Sequence, residues 1–64
     1  MTKKQIFFMD KMHELFKSDI LDNDTAIVLC LMLKQDEQID KMLAYLDNNP
    51  NADQDDIMEY ADTL

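Results

Sequence analysis

Apolar residues recur along the chain at the three- and four-residue spacing of amphipathic helices, in segments separated by short polar stretches. The first apolar stripe consists of Phe8, Met9, Met12, Leu15 and Phe16. Thr2 stands before it as an N-cap, and Gln5 completes a capping-box pattern three residues later. The pattern predicts a first helix over residues 2–17.

Phe7 departs from this stripe. At about 100° per residue it points away from the other apolar side chains and lies among Asp10, Lys11 and Glu14. An aromatic residue on a polar helix face indicates either a second buried contact or an interface with another molecule.

Residues 26–33 form the most hydrophobic segment, and Cys30 is its only polar residue. Periodicity alone does not separate a buried helix from a buried strand in so short a run. Two observations favour a helix: Asp24 stands in an N-cap position, and no second strand pattern exists for pairing. The chain also has no glycine for tight β-turns. We therefore predict a second helix over residues 24–34, which must be surrounded by neighbours because it is apolar on all sides.

The next stripe follows a polar stretch at residues 34–38 and contains Ile39, Met42, Leu43 and Leu46. One continuous helix over residues 24–47 would rotate this stripe by roughly 100° from the preceding one. A turn near Gln35, with Asp36 as a new N-cap, removes the mismatch. We favour two helices, 24–34 and 36–47, over one long helix.

The polar run that ends at Pro50 terminates the third helix, since the residue before a proline avoids helical angles. Asn51 is the expected N-cap of a last helix, with Gln54 at the capping-box position. The apolar stripe of this helix is Ile57, Tyr60, Ala61 and Leu64. The whole pattern predicts an all-α protein, a compact bundle of four short helices (about 2–17, 24–34, 36–47 and 51–63) in a single domain, 1–64.

Oxygen-bearing side chains at alternate positions from Asp47 to Asp55 follow the pattern of an EF-hand calcium loop. Such a loop needs glycine at its sixth position and a bidentate glutamate at its twelfth. Ala52 and Met58 stand there instead, so we interpret the segment as a capped connection between helices. A single cysteine and a single histidine leave no zinc cluster either. We expect no metal and no cofactor.

Catalysis is not expected. His13 lies with Asp10, Glu14 and Lys17 on an exposed flank of the first helix, where charged side chains stay solvated. A catalytic base needs a pocket that shifts its pKa and holds a substrate. The apolar stretch that follows Lys3 and Lys4 has four residues, too short for the core of a signal sequence, and the longest apolar run has eight, too short for a membrane span. We therefore expect a cytoplasmic protein that is not an enzyme.

The net charge of −8 is unevenly divided along the chain. Residues 1–17 hold four lysines against two acids, whereas the remainder holds two lysines against twelve acids. Such a surface repels phosphate groups and anionic lipids, so direct binding of nucleic acid or of a membrane is not expected. The acidity either keeps a small protein soluble or mimics nucleic acid to inhibit a DNA- or RNA-binding enzyme.

The leading hypothesis is a protein-interaction module of bacterial or phage-like character, acting as a homo-oligomer or as a binder of another protein. A chain of 64 residues has a thin core, and the apolar segment 26–33 exceeds what a monomer can cover. We therefore expect a homodimer. The expected interface residues are Phe7, Leu29, Met32 and Leu33. Six methionines could also serve as core filling or as an adaptable groove.

Overall fold

The computed structural model describes all 64 residues and contains four α-helices and no β-strand. The helices are α1 (Lys3–Lys17), α2 (Asn23–Met32), α3 (Asp36–Asn48) and α4 (Gln54–Asp62). The predicted four-helix bundle is confirmed. The choice of two helices for residues 24–47 is also confirmed, because the chain leaves the helical conformation at Leu33 before α3 begins.

The helices form a four-membered ring in the order α1–α2–α4–α3. α1 contacts α2 and α3, and α4 contacts the same two helices, so α1 lies diagonally across from α4 and α2 from α3. Polar contacts fix this arrangement at the ends of the helices. The Gln5 side-chain amide donates to the Lys34 carbonyl at 2.9 Å, and the Lys4 ammonium contacts the Asp40 carboxylate at 2.7 Å. The start of α1 is thereby held against the end of α2 and against α3.

The core contains eleven buried residues, all of them apolar, and every helix contributes to it. These residues are Phe8, Met12, Leu15, Leu21, Ala26, Leu29, Leu33, Ile39, Met42, Ile57 and Ala61. No polar or charged residue is buried. Hydrophobic burial therefore supplies the stability, without a disulfide or a buried ion pair.

The helices α3 and α4 meet through an aromatic pair. The rings of Tyr45 and Tyr60 stack with their centroids 4.2 Å apart and their planes 9° from parallel. Burial raises the pKa of Tyr45 above its ordinary value. The nearby negative charges of Asp56, Glu59 and Asp53 raise it further. The stack anchors the two most acidic helices to each other.

The start of α1 agrees with the sequence pattern. The Thr2 hydroxyl accepts the Gln5 N–H at 3.1 Å, and the Gln5 side-chain oxygen accepts the Thr2 N–H at 3.0 Å. The predicted capping box is confirmed. It satisfies two backbone donors that the first turn of a helix leaves free.

The N-cap of α2 is Asp22, and the prediction of Asp24 is wrong. The Asp22 carboxylate accepts the Thr25 N–H at 2.7 Å. Gln54, at the start of α4, accepts the Asp22 N–H at 2.8 Å and donates to its carboxylate at 3.3 Å. The sequence offers acceptable caps at each of positions 22–24, and this contact with α4 distinguishes Asp22.

The predicted N-caps of α3 and α4 are wrong by one and two residues. α3 is capped at Gln35, so Asp36 is its first helical residue. α4 is capped at Asp53 rather than Asn51. The Asp53 carboxylate accepts the Asp56 N–H at 2.9 Å, and the Asp56 carboxylate accepts the Asp53 N–H at 3.3 Å. A run of Asn and Asp contains several overlapping capping patterns, and the packing of the flanking helices selects among them.

Candidate functional site

Helix α2 exposes much of its apolar surface. Ile27, Val28, Leu31 and Met32 are 50%, 42%, 62% and 38% exposed, respectively. Only α1 and α4 pack against α2, so its apolar surface exceeds what the single chain covers, as the sequence indicated. The side of α2 that faces away from the core therefore has no neighbour. We call the four exposed residues the α2 outer face.

An open groove of about 570 Å³ runs between α1 and α2. Buried side chains form its floor, among them Phe8, Met12 and Ala26. Met9 and Phe16 of α1 and Ile27 and Leu31 of α2 line its sides, and Met1 lies at one end. We call this feature the α1–α2 groove. It adjoins the α2 outer face through Ile27 and Leu31, which belong to both.

The polar groups in the groove lining are few and contain no carboxylate. They are the side chains of Gln5, His13, Asn23, Cys30 and Lys34. The Cys30 thiol is partly buried, and burial raises its pKa. The exposed His13 ring stands 6.1 Å from the Phe16 ring. This arrangement holds no paired acid and base, and most of its lining is apolar.

The structure separates the four expected interface residues. Phe7 is 61% exposed on a side of α1 that does not line the groove, and Met32 is 38% exposed on the α2 outer face. Leu29 and Leu33 lie in the core, at 0% and 2% exposure. These two leucines are four positions apart and share the face of α2 that packs inward. Of the four expected residues, only Phe7 and Met32 are accessible at the surface.

Several exposed apolar residues were not expected from the sequence. Met9 and Phe16 were assigned to the buried stripe of α1, yet they are 43% and 38% exposed. On a helical wheel they lie on one edge of that stripe, beyond Phe8, Met12 and Leu15. The sequence did contain a signal for this exposure, because the apolar stripe of α1 is wider than one neighbouring helix can cover. The methionines divide similarly: some line the groove, while others fill the core.

Exposed hydrophobic residues and net charge occupy opposite halves of the molecule. All nine large exposed apolar residues lie within residues 1–32. Residues 1–35 carry five lysines and five acids, whereas residues 36–64 carry one lysine and nine acids. The whole net charge of −8 therefore resides in α3, α4 and their connection. The α1–α2 half has no net charge and carries all the large exposed apolar residues.

The acidic loop between α3 and α4 uses its side chains for local capping. Asp53 and Asp56 bind each other's backbone N–H groups, and the Asn49 amide donates to the Tyr45 carbonyl at 2.9 Å. Nowhere in the chain do three His, Cys, Asp or Glu side chains converge as metal ligands. None of the four helices has the length and apolar character needed to cross a membrane.

Comparison of the chain with protein-family models, with curated protein sequences and with solved structures found no match.

Proposed function

We propose that this protein is a non-enzymatic interaction module that binds a protein partner through the α1–α2 groove and the α2 outer face. One observation carries the proposal: none of the nine large exposed apolar residues lies on α3 or α4, and seven of them line the groove or form the α2 outer face. The other two, Ile6 and Phe7, lie elsewhere on α1. Scattered exposed apolar residues are ordinary in small proteins, whereas a one-sided concentration is typical of binding surfaces.

The shape and charge of this surface support binding of a protein rather than of a charged ligand. A concave groove between two helices accommodates the apolar face of a third helix. The groove lining contains no carboxylate, and a partner therefore pays no cost for bringing an unpaired acid out of water. The flexible, exposed side chains of Met1 and Met9 in the lining let the groove adapt to its occupant.

The compartment that we propose is the cytoplasm of a bacterium or of a phage-infected cell. The lone Cys30 has no partner for an internal disulfide, which suits a reducing environment. Lysine is the only strongly basic residue used, and arginine is absent.

Site-specific photo-crosslinking in living cells tests the interaction directly. A photoreactive amino acid is placed at Leu31, at the centre of the apolar surface, and in a control protein at Glu59, on exposed α4. We expect discrete protein adducts from position 31 and none from position 59. Equal labelling from both positions, or no adduct from position 31, would contradict the proposal.

A second candidate function, an acidic mimic of nucleic acid, has one specific observation in its favour. All nine acids of residues 36–64 are exposed; eight lie on α3 and α4, which pack together, and Asp53 caps α4. A DNA- or RNA-binding enzyme presents a basic cleft that such a surface complements. To test it, the chain is immobilised and probed for retention of a nucleic-acid-binding protein. We expect retention by the parent chain and its loss when Asp55, Asp56 and Glu59 are changed to amides. Retention that survives these changes contradicts the mimic.

A further inference from the structure

We propose that the occupant of the apolar surface is a second copy of this chain, with α2 packed antiparallel against α2 of the partner copy across a two-fold axis at the level of residue 29. This inference rests on the proposed function and names the partner. The closed two-fold dimer is the commonest form of soluble homo-oligomer, and each copy then contributes the same patch.

The sequence of α2 is self-complementary in this register. When two antiparallel helices are centred on residue 29, position 27 of one copy lies opposite position 31 of the other. Ile27 and Leu31, 50% and 62% exposed, then cover each other twice across the axis. Both belong to the α2 outer face and to the edge of the groove, so the contact closes both features at once.

Charges at the two ends of α2 fit the same register. Position 24 of one copy lies opposite position 34 of the other, which brings Asp24 toward Lys34 of the second copy twice. Both residues are exposed, and neither takes part in the three ion pairs within the chain. The backbone of Lys34 lies beyond the end of α2, and the hydrogen bond from the Gln5 side-chain amide to its carbonyl holds it in place. A parallel arrangement would instead oppose like charges at both ends.

The distribution of net charge also permits this dimer. Two copies with a net charge of −8 each repel one another if their acidic halves meet. The α2 helix lies diagonally across the bundle from α3, and the half to which it belongs is neutral. Antiparallel packing on α2 therefore keeps α3 of each copy far from the axis, whereas α4 packs against α2 and lies nearer to it.

The exposed apolar area is close to what a stable dimer needs. Seven exposed residues lie on α2 or on the side of α1 that borders the groove: Met1, Met9, Phe16, Ile27, Val28, Leu31 and Met32. Together they offer on the order of 600–700 Å² per copy, against about 800 Å² per partner in a standard interface. Neighbouring polar side chains supply the remainder as a rim.

Sedimentation of two matched variants tests the dimer. The parent chain should sediment at twice its mass of 7.5 kDa. Leu31→Asp, at 62% exposure, should be a folded monomer with its dissociation constant raised at least 100-fold, because the change buries an unpaired charge in the interface. Phe7→Asp, at 61% exposure on α1 outside the surface, should stay dimeric. Circular dichroism establishes that both variants are folded.

Disulfide trapping tests the register. Ile27→Cys and Leu31→Cys chains, each with Cys30→Ala, are mixed and mildly oxidised. Antiparallel packing predicts disulfides between unlike chains in preference to like ones. Preferential like-with-like linkage overturns the register. A monomeric parent chain, or a dimer lost in Phe7→Asp but kept in Leu31→Asp, overturns the dimer. If a monomeric chain still cross-links from position 31 to a different protein, the proposed function stands and only this inference fails.

Discussion

Asp19 carries the most unusual backbone conformation in the molecule, with a φ of 62°. It follows the C-cap of α1, where the Asp19 and Ile20 N–H groups close the helix on the carbonyls of Phe16 and Leu15 at 3.1 and 3.0 Å. These two bonds are those of a Schellman motif, in which glycine usually occupies this position. In a chain without glycine, an aspartate takes the left-handed conformation, at some steric cost.

We expect Asp19→Gly to stabilise the protein by about 0.5–1 kcal/mol, a rise in Tm of about 2–8 °C. Glycine removes the steric cost and takes a negative charge away from the negative end of the helix dipole. Thermal denaturation measures the change. The control is Ala44→Gly, at an exposed position inside α3, which should lose about 1 kcal/mol. A decrease in Tm for Asp19→Gly would contradict this account of the turn.

Asp22 is the residue with the clearest pH-linked role. Hydrogen bonds from Thr25, first, and then from Gln54 lower the pKa of its carboxyl below the ordinary value of 3.8. The unfolded state therefore takes up this proton at a higher pH than the folded state does. The contribution to stability is complete above the ordinary value and is lost as the pH falls through the lower, folded-state value.

We expect the Tm of the parent chain to fall more steeply between about pH 4 and pH 2 than that of Asp22→Asn. The variant keeps an N-cap but has no carboxylate to titrate. Asp10→Asn, an exposed residue of α1 without a hydrogen-bonded side chain, is the control and should follow the parent. Parallel curves for Asp22→Asn and the parent would exclude this linkage.

At the scale of the element, α2 combines a buried side with an exposed apolar side. It is the most apolar helix, yet only one side of it packs inward, through Ala26 and Leu29, with Leu33 just beyond its end. Leu29 has no exposed surface. Removing a leucine from such a site loses its burial and leaves a cavity among neighbours that cannot fully close.

We predict that Leu29→Ala and Leu33→Ala each cost about 2–5 kcal/mol, close to the whole stability expected of so small a domain. Both variants should be largely unfolded at physiological temperature, as chemical denaturation followed by circular dichroism will measure. Glu59→Ala, on the exposed side of α4, should change stability by less than about 0.5 kcal/mol. If the two leucine variants have the same stability as the parent, α2 does not lie at the centre of the bundle.

At the scale of the whole molecule, the net charge of −8 in residues 36–64 opposes compaction. The ion pairs that offset it are exposed and few: Lys4–Asp40 at 2.7 Å and Lys41–Glu37 at 3.1 Å. Such pairs contribute little individually. Like-charge repulsion within the acidic half therefore outweighs them at low ionic strength.

We expect the Tm to rise with added sodium chloride, because salt screens the repulsion. Glu59→Lys, near the C-terminal end of α4, should raise the Tm in low salt by a few degrees and by less in high salt. A Tm that falls steadily with salt would mean that the ion pairs dominate instead.

The sequence by itself determined the helices. Amphipathic spacing, the Thr2–Gln5 capping box and the rotation of the third stripe relative to the second were sufficient to place four helices within three residues of their bounds. These signals are local, because a helix forms between residues three and four positions apart. The burial of Ile39 and Met42 also followed from the periodicity of the third stripe.

Only the tertiary structure decided which apolar residues remain exposed. The sequence marked α2 as apolar on every side, but it did not say how many neighbours α2 has. For the same reason, the sequence pattern wrongly assigned Met9 and Phe16 to the core and Asp24 and Asn51 to N-cap positions. It also placed the buried residues Leu29 and Leu33 at an interface. Each of these depends on where a second helix lies. That position is set by packing between residues distant in sequence, which no local pattern contains.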